Sequence, residues 1–430
     1  MDAATTETLI PIQELVRKTT ERLESDFYRV RTKIHKFPPG LRFVSKHDRY
    51  IAPSFVALGP YHHGLPHLQE AEEVKHAAAH HFCLKSDHPV EEVYGKILTI
   101  AAEARGCYVD DAVTRFGDVE FAAMMFLDGC FLLQYMHGLV QYNDGSINAE
   151  FALFANRAVL STGPCMLRDI FMLENQLPWL VLEALMTFTH VPVCQFVASM
   201  AFIFDAGSTL TRFPEDELRR YRPPHLLGFL RYYLIGNMPP TYPNYEFVKH
   251  LALASSAIEL AEIGVQLTAS NKRWFDMSIR KGYLAGELSL TQLFLNDYTA
   301  SWLVNMAALE ACTSTGWPSD GYTISSYISL LAMLMDKEED VHELRAKHLV
   351  RSFFSNQEML DLFKGLACHL RLGGRYFDIL KKIDDYKRGR PVRIVVHKFL
   401  YKYFKNIVAV LSIAGVLVGV FKTILSLKQY

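Results

Sequence analysis

Six histidines lie between residues 62 and 81, and two of them have a spacing that could bind a metal ion. His76 and His80 are four residues apart, so on a helix they share one face, a spacing found in zinc sites. Glu72 and Glu73 lie one turn earlier and could complete the set of ligands. The same acid-rich stretch is also typical of an ordinary solvated helix face with structural histidines. The sequence favours this second interpretation, and we predict no cofactor.

Two apolar runs carry polar residues that would be buried if the runs form core helices. Asp128-Gly129 lies in one run, and Glu174-Asn175-Gln176 lies in the other, shortly before Pro178. Buried polar groups must find hydrogen-bond partners, so these residues are predicted to fix local geometry. A buried carboxylate with a raised pKa could instead be a general acid, but the sequence pairs neither carboxylate with a nucleophile or a base. Pro178 is predicted to kink or to begin a helix.

The sequence motifs of the common enzyme classes are absent. The chain has no P-loop, no G-x-G-x-x-G, no G-x-S-x-G, no H-E-x-x-H and no paired C-x-x-C. Its net charge of −1 divides into about −10 for residues 1–380, about +7 for residues 381–405 and +2 for Lys422 and Lys428. Because nucleic-acid binding depends on lysines and arginines that neutralise phosphates, this acidic main part argues against a nucleic-acid partner.

The last apolar run, residues 406–427, predicts a membrane-spanning helix. Ile407 to Phe421 contains no charge, and extension to Leu427 gives ~21 residues or about 31 Å, which matches the ~30 Å hydrocarbon core of a bilayer. Lys422 would then lie near the far headgroups, where its ammonium can snorkel. A buried core helix and an interfacial helix are the alternatives. The length favours a span, so a lipid bilayer is one predicted partner.

The residues before this run predict its orientation. Nine lysines and arginines but only two aspartates stand between Lys381 and Lys405, and Tyr401, Tyr403 and Phe404 fit an aromatic belt. Basic flanks stay on the cytosolic side of a membrane, and the N-terminal sequence is not typical of a signal peptide. The seven widely spaced cysteines are typical of free thiols in a reducing compartment. We expect a protein of the plasma membrane or an endomembrane, with its body facing the cytosol.

Two glycines within the predicted span could allow the anchor to dimerise. Gly415 and Gly419 form a G-x-x-x-G pair, which lets the backbones of two membrane helices approach closely. Glycine is common in membrane helices, so the signal is weak. A homodimer through the anchor is therefore one interpretation of the pair.

Helical periodicity dominates the rest of the chain and predicts a mainly α fold: a large multi-helix globular body with a single C-terminal transmembrane helix. Residues 1–25 are predicted to belong to an amphipathic helix that continues to about 34, residues 26–405 to form the body, and residues 406–427 the span. Two halves of the body could meet near 236–249. We predict helices at about 68–85, 89–105, 118–139, 165–187, 223–235, 250–267, 291–313, 322–335, 338–351, 357–371 and 374–389.

Three blocks of sequence stand out: Val56-Ala57-Leu58-Gly59-Pro60-Tyr61-His62-His63-Gly64, the run Met124 to Leu133 around Asp128-Gly129, and Leu173-Glu174-Asn175-Gln176-Leu177-Pro178. Together with further blocks in a fixed order, they resemble a plant family catalogued as domain of unknown function 247, also called uncharacterised protein family 0481. The resemblance runs from about residue 26 to 427, and the fixed order of the blocks makes it specific. Two departures are the glycine after Pro39 and the alanine at position 57. The family-motif residues that we carry forward are Gly59, Pro60, Tyr61, His62, His63, Gly64, Asp128, Gly129, Glu174, Asn175, Gln176 and Pro178.

The resemblance implies a helical, membrane-anchored plant protein and supplies no catalytic residues. Some grass members of the family are linked to self-incompatibility loci, which suggests recognition between proteins. Our first hypothesis is therefore an interaction, signalling or recognition component with an unknown protein partner, and not an enzyme. The alternative is an enzyme of unrecognised type that uses the histidine-rich segment 62–81 or the buried carboxylates. A receptor-like protein with its body outside the cell is disfavoured by the basic flank.

Overall fold

The computed structural model describes residues 14, 17–20, 33–44, 48–109, 113–143, 160–204, 220–236, 255–270, 277–282, 285–314 and 321–428. These residues are mostly helical, which confirms the predicted mainly α fold. The amphipathic helix predicted at the N-terminus lies largely outside them, although residues 17–20 are helical. The predicted meeting point of two halves near 236–249 also lies outside them, except for Gly236.

The N-terminal part of the body is built around one central helix. α1 (Gln69–Ser86) and α2 (Val90–Gly106) both pack against α3 (Asp118–Asn143). α3 is long and apolar enough to cross a membrane, but 78% of that stretch is buried in the body, so it is a core helix. Four shorter helices follow: α4 (Leu160–Asp169), α5 (Trp179–Leu185), α6 (Val193–Phe204) and α7 (Leu226–Ile235). Short 3₁₀ helices stand at Pro39–Val44, Asp48–Tyr50 and Pro66–Leu68.

The C-terminal part of the body contains short strands as well as helices. Its elements are α8 (Ala257–Glu262), β1 (Val265–Ser270), β2 (Ser278–Lys281), β3 (Gly286–Thr291), β4 (Leu293–Leu295), α9 (Asp297–Thr313), α10 (Thr323–Leu334), α11 (Glu338–Ala346), β5 (Val350–Ser352), α12 (Asn356–Ala367) and α13 (Gly374–Gly389). β3 lies between β1, to which it is parallel, and β2, to which it is antiparallel. β4 and β5 form a separate parallel pair.

Four of the predicted helices are wrong in extent. The stretch 165–187 is two helices, α4 and α5, separated by residues 170–178, and the stretch 250–267 ends in strand β1. The stretch 291–313 begins with β4, and 338–351 ends with β5. The sequence also missed α6. The helices predicted at 68–85, 89–105, 118–139, 223–235, 322–335, 357–371 and 374–389 are confirmed as α1, α2, α3, α7, α10, α12 and α13.

The last helix, α14 (Pro391–Lys428), is the longest described element. Its 38 residues are about 57 Å long at 1.5 Å per residue. Its first turns contact the body: Ile394 packs against the core, and Arg390, just before the helix, donates a hydrogen bond to the Gly282 carbonyl at 2.8 Å. Residues Asn406–Leu425 are long and apolar enough to cross a membrane, and none of that stretch is buried in the body. The predicted C-terminal candidate span is therefore present as a helix.

Candidate functional site: a buried polar network

The family-motif residues converge on one buried polar network, which consists of Asp128, Asp169, Glu174, Asn175 and Gln176. The network joins segment 53–64, which has no long element of its own, to segment 169–178, which links α4 to α5. Segment 169–178 and the central part of segment 53–64 are buried, and their backbone N–H and C=O groups therefore need partners. The side chains of the network supply many of those partners.

Asp169, at the end of α4, binds the beginning of segment 53–64. Its Oδ2 atom accepts hydrogen bonds from the backbone N–H groups of Ser54 at 2.9 Å, Phe55 at 2.7 Å and Val56 at 3.2 Å. Burial raises the pKa of Asp169, whereas these N–H groups and the neighbouring Arg168 act in the opposite direction. One carboxylate oxygen thus fixes three consecutive residues of the loop.

Asn175 continues the same attachment along segment 53–64. Its Oδ1 accepts from the Leu58 N–H at 2.6 Å, and its Nδ2 donates to the carbonyls of Val56 at 3.0 Å and Asp169 at 2.9 Å. The side-chain amide of Asn175 therefore links the two segments by hydrogen bonds to their backbone groups, as a neighbouring strand would. A carboxylate at this position could not make the two donated bonds.

Asp128 forms an ion pair in the centre of the body. Its Oδ1 lies 2.7 Å from Nζ of Lys75, which is completely buried, and its Oδ2 accepts from the Gly59 N–H at 2.7 Å. Lys75 also lies 2.6 Å from Oε1 of Glu72. Burial alone would lower the pKa of Lys75, but the carboxylates of Asp128 and Glu72 raise it. The ammonium is held in its charged form by its two partners.

Two glycines of the motif are required by close contacts. Gly59 has φ +76°, and a Cβ there would lie 2.6 Å from Oη of Tyr108, so both its conformation and its space exclude other residues. A Cβ at Gly129, on α3, would lie 2.5 Å from Cδ1 of Leu185, on α5. Gly129 therefore allows α3 and α5 to approach each other behind the network.

Gln176 connects the network to α7. Its Nε2 donates to the carbonyls of Ile170 and Met172, both at 2.8 Å, and its Oε1 accepts from the Leu227 N–H at 2.9 Å. The carbonyl of Gln176 accepts from Tyr108 Oη at 3.0 Å. Its side chain thus closes segment 169–178 on itself and ties it to the first turn of α7. Pro178 is the N-cap residue of α5, so the prediction that it begins a helix is confirmed.

Glu174 lies at the edge of the network. Its Oε1 accepts from the Phe37 N–H and from Nη2 of Arg42, both at 2.7 Å, and its Oε2 is 3.5 Å from Nε2 of His62. Burial, together with the electrostatic influence of Arg42 and of the neighbouring His67, lowers the pKa of His62 to about 4. His62 is therefore a neutral side chain beside Glu174 at physiological pH.

The rest of the 60–64 turn is held from outside the network. Tyr61 Oη donates to the Ile34 carbonyl at 2.9 Å, and Nη2 of Arg115 donates to the carbonyls of Pro60 at 2.7 Å and His63 at 3.2 Å. Gly64 ends the turn before the 3₁₀ helix Pro66–Leu68. These contacts are to backbone carbonyls, so they hold the turn in position.

The histidines proposed as metal ligands lie elsewhere. His76 and His80 are both on the exposed face of α1, while Glu72, which was expected to assist them, contacts Lys75. Among the described residues no group of three or more histidines, cysteines, aspartates or glutamates is placed to hold a metal ion. The weak metal prediction gains no support from the geometry.

Sequence reasoning missed several residues that complete the network. Asn305, on α9, accepts from the Leu173 N–H at 2.8 Å and donates to the Tyr50 carbonyl at 2.8 Å. Arg168 lies 3.1 Å from Oδ2 of Asp297 and also contacts the hydroxyl of Ser54. Lys75 was not singled out, although its spacing to Ala71 and Ala78 places it on the buried face of α1. That spacing was the signal that could have revealed it.

A second buried carboxylate performs a similar structural task in the C-terminal part. Glu310, on α9, accepts from the N–H groups of Ile324 and Ser325, each at 2.9 Å, at the start of α10. Nη2 of Arg231, on α7, lies 2.8 Å from the same carboxylate. The negative charge therefore stabilises the N-terminus of α10, where free N–H groups and the helix dipole favour an anion.

His225 caps α7 and is completely buried. Its Nδ1 accepts from the Gly228 N–H at 3.2 Å, so this nitrogen must be unprotonated. Burial, with a smaller contribution from His35, lowers the pKa of His225 to about 3. The residue is thus a neutral structural histidine that the sequence analysis did not single out.

The network as a whole suits a structural role better than a catalytic one. Each of its carboxylates accepts from backbone N–H groups or faces a cation, and a general acid or base would need a free, accessible oxygen near a substrate. The described residues also form an open groove of about 380 Å³ between α8, α10, α12 and α13. No residue of the network lines that groove.

The comparison with known families agrees with this picture of a helical plant protein built around shared motifs. The family model described as "Plant protein of unknown function", DUF247, matches residues 34–421, a range that contains the whole network. The chain therefore belongs to this family. It is also similar to a UPF0481 protein of Arabidopsis thaliana, with 25% identity over 359 residues that cover 76% of this chain and 70% of the relative. No solved structure matches the chain.

Proposed function

We propose that the protein is a membrane-anchored recognition component, held at the cytosolic face of a membrane by α14 and binding another protein through its body. The observation that supports this proposal is that the motif residues make structural hydrogen bonds inside the body. Asp128, Asp169 and Asn175 bond to backbone groups and to a buried lysine, and they thereby stiffen the body. A rigid body attached to an apolar helix is a suitable platform for binding a partner.

The cytosolic orientation rests on the charges around α14. The basic residues of 381–405 precede the apolar stretch that begins at Asn406, and positive flanks stay in the cytosol. The same residues are attracted to anionic lipid headgroups by roughly 1 kcal/mol each near the surface.

Protease protection in sealed microsomes tests this orientation. We expect external protease to digest the body of the full-length protein and its N-terminal tag, while a tag after Tyr430 stays protected. Detergent should remove that protection, which controls for an intrinsically resistant tag. A protected body would contradict the orientation and would favour a receptor with its body outside the cytosol.

An exposed aromatic surface beside β5 is the proposed contact for the protein partner. Phe353 is 82% exposed, the highest value for a large apolar side chain among the described residues, and its ring packs edge-on against Phe294 at 5.6 Å. Arg351 is also exposed, on β5, and Arg49, which pairs with Asp297 just after β4, is exposed in a 3₁₀ helix that contacts α9. Exposed aromatic and arginine side chains supply much of the binding energy in protein interfaces. The chemistry fits a partner with an apolar pocket and acidic residues around it.

Replacement of Phe353 by alanine tests this surface. We expect Phe353→Ala to reduce the amount of cross-linked partner recovered with the full-length membrane protein by at least about tenfold, as for an interface hot spot. Leu84→Ala is the matched control, because Leu84 is 67% exposed on α1, in the N-terminal part of the body. Equal recovery with wild type and Phe353→Ala would show that this surface is not the contact.

A further inference from the structure

α14 contacts the body along one narrow face. Ile394 packs against the core, and the His397 ring lies within 3.0 Å of the point where a Cβ on Gly264 would stand. Tyr401 is close to the carboxylates of Glu343 and Glu262, which raise its pKa together with burial. Ile394, His397 and Tyr401 are three and four residues apart, so they form a single helix face that is directed toward the body.

The opposite face of α14 carries an apolar repeat that runs almost the full length of the helix. Val392 and Val396 are each two residues from Ile394 and therefore project about 160° away from it. From Val392 onward, steps of four and three residues alternate without interruption. We call this set the seam: Val392, Val396, Phe399, Tyr403, Asn406, Val410, Ile413, Leu417, Val420 and Ile424.

The seam is exposed in the part that precedes the apolar stretch, where lipid tails would not cover it. Val392 is 75% exposed, Phe399 57% and Tyr403 39%. Val392, Val396, Phe399 and Tyr403 thus form an exposed apolar stripe along the helix, which is the kind of surface that packs against another helix. The repeat of 3.5 residues is the pattern that produces a left-handed coiled coil between helices.

We propose that a second copy of this chain covers the seam, so that two α14 helices form a parallel, in-register coiled coil that begins outside the membrane and continues through it. The parallel direction rests on the proposed membrane anchoring, because two copies inserted from the same side point the same way. The register follows from their equal depth in the bilayer.

Asn406 is the residue that favours a second copy over an unrelated helix. It is the one residue of the seam with an amide side chain, which donates through its nitrogen and accepts through its oxygen, and it sits where the apolar stretch begins. In an in-register pair, Asn406 of one chain faces Asn406 of the other, and the two amides can hydrogen-bond. Any shift of register would place an asparagine against an apolar side chain, and a single core asparagine is known to fix register in this way.

The position of the body argues against pairing of two α14 helices through Gly415 and Gly419. His397 and Gly415 are 18 residues apart, as are Tyr401 and Gly419, and 18 residues make five full turns of a helix. The G-x-x-x-G pair therefore lies on the same face as the residues that touch the body. If two helices met through that face, both bodies would be directed into the space between them. A globular part of about 390 residues has a radius of gyration of roughly 21 Å, too large for that space.

The mass of the full-length protein in nanodiscs, measured for wild type and two variants, tests the proposal. We expect wild type to have twice the mass of one chain, Phe399→Asp to have the mass of one chain, and the double variant Gly415→Leu, Gly419→Leu to remain a dimer. Phe399 is exposed, and a Cβ at Gly415 or Gly419 meets no atom within 4 Å, so none of these changes disturbs the single chain. A monomeric wild type, or a monomeric glycine variant, would overturn the proposal.

Cysteine cross-linking in membranes tests the register. In a Cys368→Ser background, which removes the exposed native thiol, Val396→Cys should form a disulfide-linked dimer on mild oxidation, since seam positions of two parallel helices lie within disulfide reach. Lys398→Cys, exposed on another face, should not. Equal cross-linking at both positions would contradict a fixed seam. Retention of each variant in the membrane fraction is measured in parallel, so that a failure of anchoring is distinguished from a failure of pairing.

Discussion

Replacing Asp128 by leucine is expected to destabilise the body by about 3–5 kcal/mol, because it leaves a buried cation without its main partner. Lys75 is completely buried and has two carboxylate partners, Asp128 and Glu72. Asp128 is the buried one of the two, whereas Glu72 is partly exposed. The same change removes the acceptor of the Gly59 N–H, which is also buried. Urea denaturation of the full-length protein in detergent, followed by the fluorescence of its tryptophans, measures the loss as a lower midpoint.

A double variant separates the cost of an unpaired charge from the loss of a favourable contact. Lys75→Met combined with Asp128→Leu is expected to recover a large part of the stability, since an apolar pair can replace a buried ion pair. Asp118→Leu is the matched control on the same helix, because the Asp118 side chain is 88% exposed and should contribute little. If Asp128→Leu unfolds no earlier than Asp118→Leu, the ion pair does not stabilise the body.

The helices that the sequence predicted well are those with one buried face and a clear end. α2 is an example: Val93, Ile97, Ala101 and Ala104 are buried at helical spacing, and the pattern stops near Gly106. Such a helix is specified by residues within it, so periodicity alone identifies it. The same reasoning correctly identified the apolar run that forms the second half of α14.

The error at 165–187 has a physical cause in the network. Ile170, Phe171, Met172 and Leu173 are all completely buried, so the loop between α4 and α5 is as apolar as the helices on either side. A loop can be buried only if its backbone groups are bonded elsewhere, and here Asn305 accepts from the Leu173 N–H across 132 residues of sequence. The sequence around residues 170–178 does not indicate a hydrogen-bond partner that lies so far along the chain.

The small sheet was missed for a similar reason. Val265 and Leu267 are buried and alternate with more exposed residues, but so short an alternation directly after a helix does not distinguish a strand from a continuing helix. The strand forms because β3 supplies hydrogen bonds from about twenty residues later. Gly264, at φ +82°, ends the helical turn before β1, and the glycine was the local signal for the change.

The candidate site was predicted in its residues but not in its arrangement. Asp128 and Asn175 stood out because they are polar within apolar runs, and a structural role was expected for both. Their common target, segment 53–64, could not be deduced, since nothing local shows which loop a buried side chain binds. Lys75 was missed because lysine is rarely buried without partners, and those partners lie on a different turn and a different helix.

Acidification is expected to weaken the fold through its buried histidines. His225 has a pKa of about 3 in the folded protein and about 6.5 when unfolded, so between these values the unfolded chain binds a proton that the folded chain does not. Its contribution to stability is complete above pH 6.5 and is lost as the pH falls toward 3. His62, with a folded pKa of about 4, acts in the same direction.

The variant His225→Asn isolates the contribution of His225, since asparagine can still cap α7 but does not titrate. Each pKa unit corresponds to about 1.4 kcal/mol, so the free energy of unfolding of wild type should fall by about 2 kcal/mol more than that of His225→Asn between pH 7 and pH 5. The raised pKa of Asp169 gives the opposite slope, but it is common to both proteins and cancels in the difference. Urea midpoints measured at pH 7, 6 and 5 give that difference directly, and parallel curves for the two proteins would show that His225 is not held neutral by burial.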